Sequence, residues 1–161
     1  MATTDLSAYD ASQVPSAQGM RFAVVTSEWN QHITFALRDG AINTLLKFEA
    51  EKRLIDTFYV PGAFELTYAA HMLAHKEDTY DAIIVLGCVI QGGTPHFEYV
   101  CQGTTQGIAQ VNAQQSIPVI YGLLTCNTEQ EALDRCGGKL GNKGDEAAIT
   151  AIKMAALRKS L

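Results

Sequence analysis

The chain has 161 residues, 47% hydrophobic and 18% charged, with a formal net charge of −5. That is one domain's length with enough apolar material for a core, and an acidic balance argues against a general nucleic-acid binder, which carries basic excess. The longest apolar stretch, residues 82–90, is too short to span a bilayer, and no basic segment leads into an apolar run as in a signal peptide, so the expectation is a cytoplasmic protein bound to neither membrane nor nucleic acid.

Residues 1–19, rich in Ala, Ser, Thr, Gln and Asp, read as an N-terminal arm, either loose or ordered against a neighbour. Residues 20–161 read as a single domain. Residues 21–26 form the first strand. Asn30 and Gln31 lead into a helix over 32–53, with Ile33, Ala36, Leu37, Ala41, Leu45 and Phe48 on one face. Residues 55–60 are the second strand, Pro61 and Gly62 turn the chain, and 64–75 is the second helix. The third strand spans 82–89 and the third helix 96–115. The fourth strand spans 118–124. Thr128 followed by Glu131 resembles a capping box for a short helix ending near Cys136. A Gly-rich stretch, 137–144, precedes a final helix over 145–159, with acids in its first turn and bases in its last. Strands alternating with helices call for a four-stranded parallel sheet with helices on both faces, a three-layer α/β sandwich. Cys88, Cys101, Cys126 and Cys136 show no C-x-x-C pairing and read as reduced thiols, with Cys88 and Cys101 as small core residues. His71 and His75 are four apart on a helix, but the glutamate of a zinc-binding HExxH is missing, so a partly exposed helix face is the better reading and no metal is expected.

Residues 87–100, GCVIQGGTPHFEYV, carry the chemistry. A buried strand ends in a Gly-Gly-Thr-Pro turn at the carboxyl edge of the sheet, where open α/β sheets bind ligands. Gly92 and Gly93 allow close backbone approach, Thr94 is placed to cap the helix, and Pro95 suits its first position. The free N–H groups of such a helix start favour an anion, most often phosphate. His96 follows one residue inside, and an imidazole there is placed to move protons near neutral pH. Trp29, the sole tryptophan, lies after the first strand, where a flat indole can stack on a heteroaromatic ring.

With GCVIQGGTPHFEYV, Trp29-Asn30, VPGAFE at 60–65, Asp134-Arg135 and GNKG at 141–144, the chain resembles the lumazine synthase family, in that family's order and spacing from about Arg21 to the end. The resemblance implies a flavodoxin-like sandwich. It makes His96 the catalytic histidine and puts Trp29 against a pyrimidine substrate. It assigns Glu65, whose charge also suits a helix start, to ribityl hydroxyls, and lines the pyrimidine pocket with the backbone of Ala63, Phe64, Cys88, Val89 and Ile90. Gly93, Thr94 and Arg135 would hold the phosphate of the second substrate. Lys143 and Tyr121 would reach the pocket from an adjacent subunit, although a core strand aromatic is an equally good reading of Tyr121. Gln91 stands where many members have Arg, which shifts anion binding onto Arg135, Thr94 and backbone N–H groups.

The implied reaction condenses 5-amino-6-(D-ribitylamino)uracil with 3,4-dihydroxy-2-butanone 4-phosphate, without cofactor or metal, in riboflavin biosynthesis. The implied assembly is a homo-oligomer, a pentamer or a 60-subunit shell of twelve pentamers, with sites at subunit interfaces and riboflavin synthase as a candidate associate. The absence of an obvious insertion in 137–144 leans toward the shell. The rival readings are another phosphate-handling α/β enzyme, such as a sugar-phosphate isomerase, and a catalytically weak flavin-binding or shell-forming homologue.

Overall fold

Every residue of β1 (Phe22–Ser27) is buried, as are the first seven of the nine in β3 (Ala82–Ile90), the pattern of strands covered on both faces. In the computed structural model, which describes residues 9–76 and 79–161, these strands pair in parallel with β2 (Ile55–Val60) and β4 (Val119–Cys126). The strand order is β2-β1-β3-β4.

Side chains alternate across the sheet and fill two cores. Phe22, Val24, Ile84, Leu86, Ile120 and Leu124 face α1 (Gln31–Lys47) and α5 (Lys143–Ser160). Ala23, Val25, Ile83, Val85, Val119 and Leu123 face α2 (Leu66–Ala74) and α3 (His96–Gln114). The result is the expected three-layer, flavodoxin-like sandwich. No helix among the described residues is long and apolar enough to cross a membrane.

Element ends differ from the sequence reading in several places, with α2 starting at Leu66 and β4 running on to Cys126. The first helix stops at Lys47 rather than 53, because Glu49 takes a left-handed φ of 73° and the Phe48 N–H folds back onto carbonyls of the last turn. A 3-10 turn, Lys52–Leu54, then feeds β2. The Gly-rich stretch is a small antiparallel hairpin of β5 (Cys136–Gly138) and β6 (Gly141–Asn142). The last helix starts at Lys143, two residues early, because the Asn142 side chain accepts the Gly144 N–H at 2.8 Å and caps it. At α3, Pro95 already has helical dihedrals and its carbonyl accepts the Glu98 N–H at 3.0 Å, but no Thr94 cap forms. The first N–H groups of α3 are left to solvent or ligand. The short α4 (Glu129–Leu133) is capped as expected, with Thr128 Oγ1 accepting from Glu131 N and the Glu131 carboxylate from Asn127 N.

Of the expected arm, Asp10 caps a 3-10 turn at Ala11–Gln13, and Val14 and Ala17, like Met20 just after the arm, are buried in the α1/α5 core, with the Ala17 N–H donated to Phe48 O at 2.7 Å. Residues 1–8 lie outside the described residues.

Candidate functional site

β1 and β3 are neighbours whose following helices leave for opposite faces of the sheet, so a crevice opens beyond their carboxyl ends. Asn30 spans it. Its backbone is left-handed, at φ 61°, and its side-chain Nδ2 donates to Cys88 O at 3.1 Å. The crevice holds a cavity of about 500 Å³ lined by Trp29 and Asn30 after β1, Ala63, Phe64 and Glu65 after β2, Cys88, Val89 and Ile90 at the end of β3, and His96, Tyr99 and Val100 on α3.

Backbone pairing continues past the strands and sets the tryptophan. Glu28 N donates to Val60 O at 2.8 Å and Trp29 N to Pro61 O at 3.0 Å. The Trp29 side chain therefore lies over the β2–α2 turn with 67% of its surface exposed, not in the core. Phe64, which also lines the cavity, is 58% exposed, and Thr104 on α3 steadies its neighbour by donating to Ala63 O at 3.3 Å. Two aromatic rings at a cavity mouth suit a flat heteroaromatic ligand. Glu65 receives the Gly62 N–H at 3.1 Å, which fixes the carboxylate at the cavity wall.

His96 is exposed at the first turn of α3, and among the described residues its ring has no hydrogen-bond partner. It is free to meet a ligand. Burial pushes the Cys88 thiol up to about 12, with Cys126 nearby adding to the effect. Burial also raises Cys101, Cys126 and Cys136, so the thiols stay protonated and are poor nucleophiles at neutral pH. The site offers proton transfer and positioning instead.

Gly93 and Thr94 sit exposed in the turn before α3, beside but not lining this cavity. A side chain at Gly93 would meet nothing within 4 Å, so the turn stands clear for a bound group. Gln91 is also exposed, its N–H donated to Cys126 O at 2.9 Å. Three expected residues are elsewhere. Tyr121 and Lys143 line a second cavity of about 780 Å³ along the β4 edge and α5. There the Tyr121 hydroxyl bonds Thr105 at 2.7 Å and burial raises its pKa, while Lys143 Nζ pairs with Glu146 at 2.6 Å. The Arg135 guanidinium donates to Glu131 O at 2.7 Å, and its backbone carbonyl accepts the Lys143 N–H at 2.9 Å. His71 and His75 lie on the exposed side of α2, their rings 4.1 Å apart.

Asn30, Tyr99 and Val100 line the cavity without having been singled out as ligand-binding residues. Tyr99 was findable, because on a helix it shares a face with His96 three residues earlier. The left-handed backbone of Asn30 was not, although Asn is among the few residues that adopt it readily.

Residues 19–159 match the family model described as 6,7-dimethyl-8-ribityllumazine synthase. The chain is 57% identical over 157 residues to a 6,7-dimethyl-8-ribityllumazine synthase of Phocaeicola vulgatus, covering 98% of this chain and 93% of that one. It is 61% identical over 135 residues to one of Bacteroides fragilis, covering 84% and 94%. It is 50% identical over 155 residues to one of Porphyromonas gingivalis, covering 96% of each.

Proposed function

The chain belongs to the 6,7-dimethyl-8-ribityllumazine synthase family, and we propose that the cavity between Trp29 and His96 is where it performs that reaction. The enzyme is a transferase of riboflavin biosynthesis that condenses 5-amino-6-(D-ribitylamino)uracil with 3,4-dihydroxy-2-butanone 4-phosphate to 6,7-dimethyl-8-ribityllumazine. The observation that carries the site is the gathering of Trp29, Ala63–Glu65, Cys88–Ile90 and His96, from four separate segments, around one cavity. Relatives named as synthases favour turnover over a flavin-binding or shell-forming homologue.

In this reading Trp29 and Phe64 hold the pyrimidine ring, backbone groups of Cys88–Ile90 align its edge, and Glu65 takes the ribityl hydroxyls. The phosphate sits at the Gly93–Thr94 turn against the free N–H groups of α3. The substrate amine attacks the ketone and water leaves to give an imine. Phosphate is eliminated, and the second nitrogen closes the ring with loss of another water. Every step moves a proton and none needs a protein nucleophile, which suits protonated thiols and an unpartnered His96. Rate enhancement comes from holding two partners together and from proton transfer by His96.

Exposed apolar side chains support assembly. Tyr68 and Met72 stand out on α2, and Met154, Leu157 and Leu161 border the second cavity. Two unlike apolar surfaces on one chain suit a head-to-tail contact that closes into a ring. We assign the ring as a pentamer able to build a 60-subunit shell, with Tyr121, Lys143 and Arg135 completing a neighbour's cavity. Association with riboflavin synthase and a reducing, cytoplasmic location, in keeping with four free cysteines, belong to the same proposal.

The test is His96→Ala in single-turnover kinetics. The chemical step should slow about 10²-fold, the low end for a general acid–base group, because the free partners already react slowly. Substrate affinity should hold. An unchanged chemical rate would remove His96 from the mechanism.

A further inference from the structure

Gly62 has no side chain, and the space a side chain would need is taken. A methyl group there would come within 2.7 Å of both Cε3 and Cζ3 of the Trp29 indole and 3.0 Å of Glu65 Oε2. Carbon atoms in contact sit roughly 3.5–4.0 Å apart, so the ring would have to move. The backbone of Gly62 is not left-handed, so conformational freedom does not explain the glycine. Its N–H is committed to the Glu65 carboxylate at 3.1 Å. From the other side, the Trp29 N–H is held by Pro61 O at 3.0 Å, and the next residue, Asn30, is locked by its left-handed turn and its bond to Cys88 O. The indole is thus tethered at its root and has one bare backbone surface to lie on.

We propose that Gly62 is a positioning residue: it is the seat that sets the depth and tilt of the Trp29 ring over the cavity, and so sets the gap available to the pyrimidine. The proposal rests on the reading that Trp29 stacks on that substrate. The seat also fits the size of the ring. Cζ3 belongs to the outer six-membered ring of the indole, and phenylalanine has no atom that reaches as far. A side chain at Gly62 should therefore conflict with tryptophan at position 29 and be relieved by phenylalanine there.

Trp29 is the sole tryptophan, so its emission reports this ring alone. In Gly62→Ala, the emission should shift to the red and become more accessible to acrylamide as the ring is lifted into solvent. The KM for the pyrimidine should rise about tenfold, the scale of a lost aromatic stack on a base. The KM for the butanone phosphate should stay within about twofold, as for an uncoupled site. In Gly62→Ala/Trp29→Phe, the pyrimidine KM should lie within about twofold of Trp29→Phe alone. Unchanged emission and pyrimidine KM in Gly62→Ala would overturn the seat, as would a double variant carrying the full Gly62→Ala loss on top of Trp29→Phe. If Gly62→Ala does not accumulate folded, recovery of folded protein in the double variant supports the seat and failure of both overturns it. Trp29→Ala separates the two readings: an unaltered pyrimidine KM there, with a shifted emission in Gly62→Ala, rejects stacking and keeps the seat.

Discussion

Arg135 has two roles open to it that predict different measurements. Its guanidinium closes the end of α4 by donating to Glu131 O. As that cation alone, its loss should cost roughly 0.3–1 kcal/mol of stability and little activity. As the phosphate clamp, Arg135→Ala should raise the KM for the butanone phosphate and leave the pyrimidine KM nearly unchanged. Gln91 supplies no charge to share the work, which makes the dependence stronger in this chain. Arg135→Lys should restore only part of the loss, because a point charge lacks the planar fork. Steady-state kinetics with each substrate varied separately decides it, and unaltered butanone-phosphate saturation would leave Arg135 structural. At this scale the sequence was legible where a residue type has few other uses in its context. His96 after a Gly-Gly-Thr-Pro turn and the lone Trp29 after a strand both reached the cavity. The spatial pairing of Trp29 with Gly62 was not legible, because a close approach across 33 positions leaves no local pattern.

Between elements, an ionic knot joins the starts of the strands. Arg21, just before β1, pairs with Asp56 of β2 at 2.8 Å, and the Tyr80 hydroxyl, just before β3, donates to the same carboxylate oxygen at 2.9 Å. The Arg21 hydrogen bond holds the Asp56 carboxyl below its ordinary 3.8, although burial opposes this. Burial first, and then the bond to Asp56, push Tyr80 up to about 12 from 10.0. The signs follow by linkage. A carboxylate with a depressed folded pKa contributes stability that is complete above 3.8 and lost as pH falls below it. A raised tyrosine contributes stability that is complete below 10 and lost as pH climbs toward 12. Denaturant unfolding of Asp56→Asn against wild type should therefore show a gap at pH 7 that narrows as the pH drops below 3.8. A gap independent of pH would mean that the knot acts by packing alone. The elements themselves were legible from period and capping, as at Thr128. Their ends were less so: the apolar stripe of α1 points on to Phe48, yet the left-handed Glu49 stops the helix there.

At the scale of the whole molecule, one chain carries two separate cavities. Trp29 and His96 line one cavity, and Tyr121 and Lys143 line another along the β4 edge. If each working site joins the first cavity of one subunit to the second cavity of its neighbour, two impaired variants should rescue each other. His96→Ala and Lys143→Ala chains, dissociated together and reassembled in equal amounts, should recover roughly a quarter of the wild-type sites by random pairing in a head-to-tail ring. Recovery no greater than the sum of the separate variants would place each site within one chain. Light scattering on the same preparations separates a pentamer from a 60-subunit shell.

The sequence by itself determined the class of the fold and the family. Alternation of buried strands with amphipathic helices, and motifs such as GCVIQGGTPHFEYV, are local patterns that survive being read one residue after another. It also determined which residue types were available for chemistry. Only the tertiary structure decided which of them meet. The order β2-β1-β3-β4 puts the ends of β1 and β3 side by side, and that brings Trp29 and Asn30 to Cys88 and His96 from more than fifty positions away. The same topology leaves Tyr121 and Lys143 at the far strand edge, on a different cavity. The physical reason is that strand pairing in a parallel sheet is a long-range choice, made through crossovers that bury two faces at once, and no local pattern records which strand becomes a neighbour.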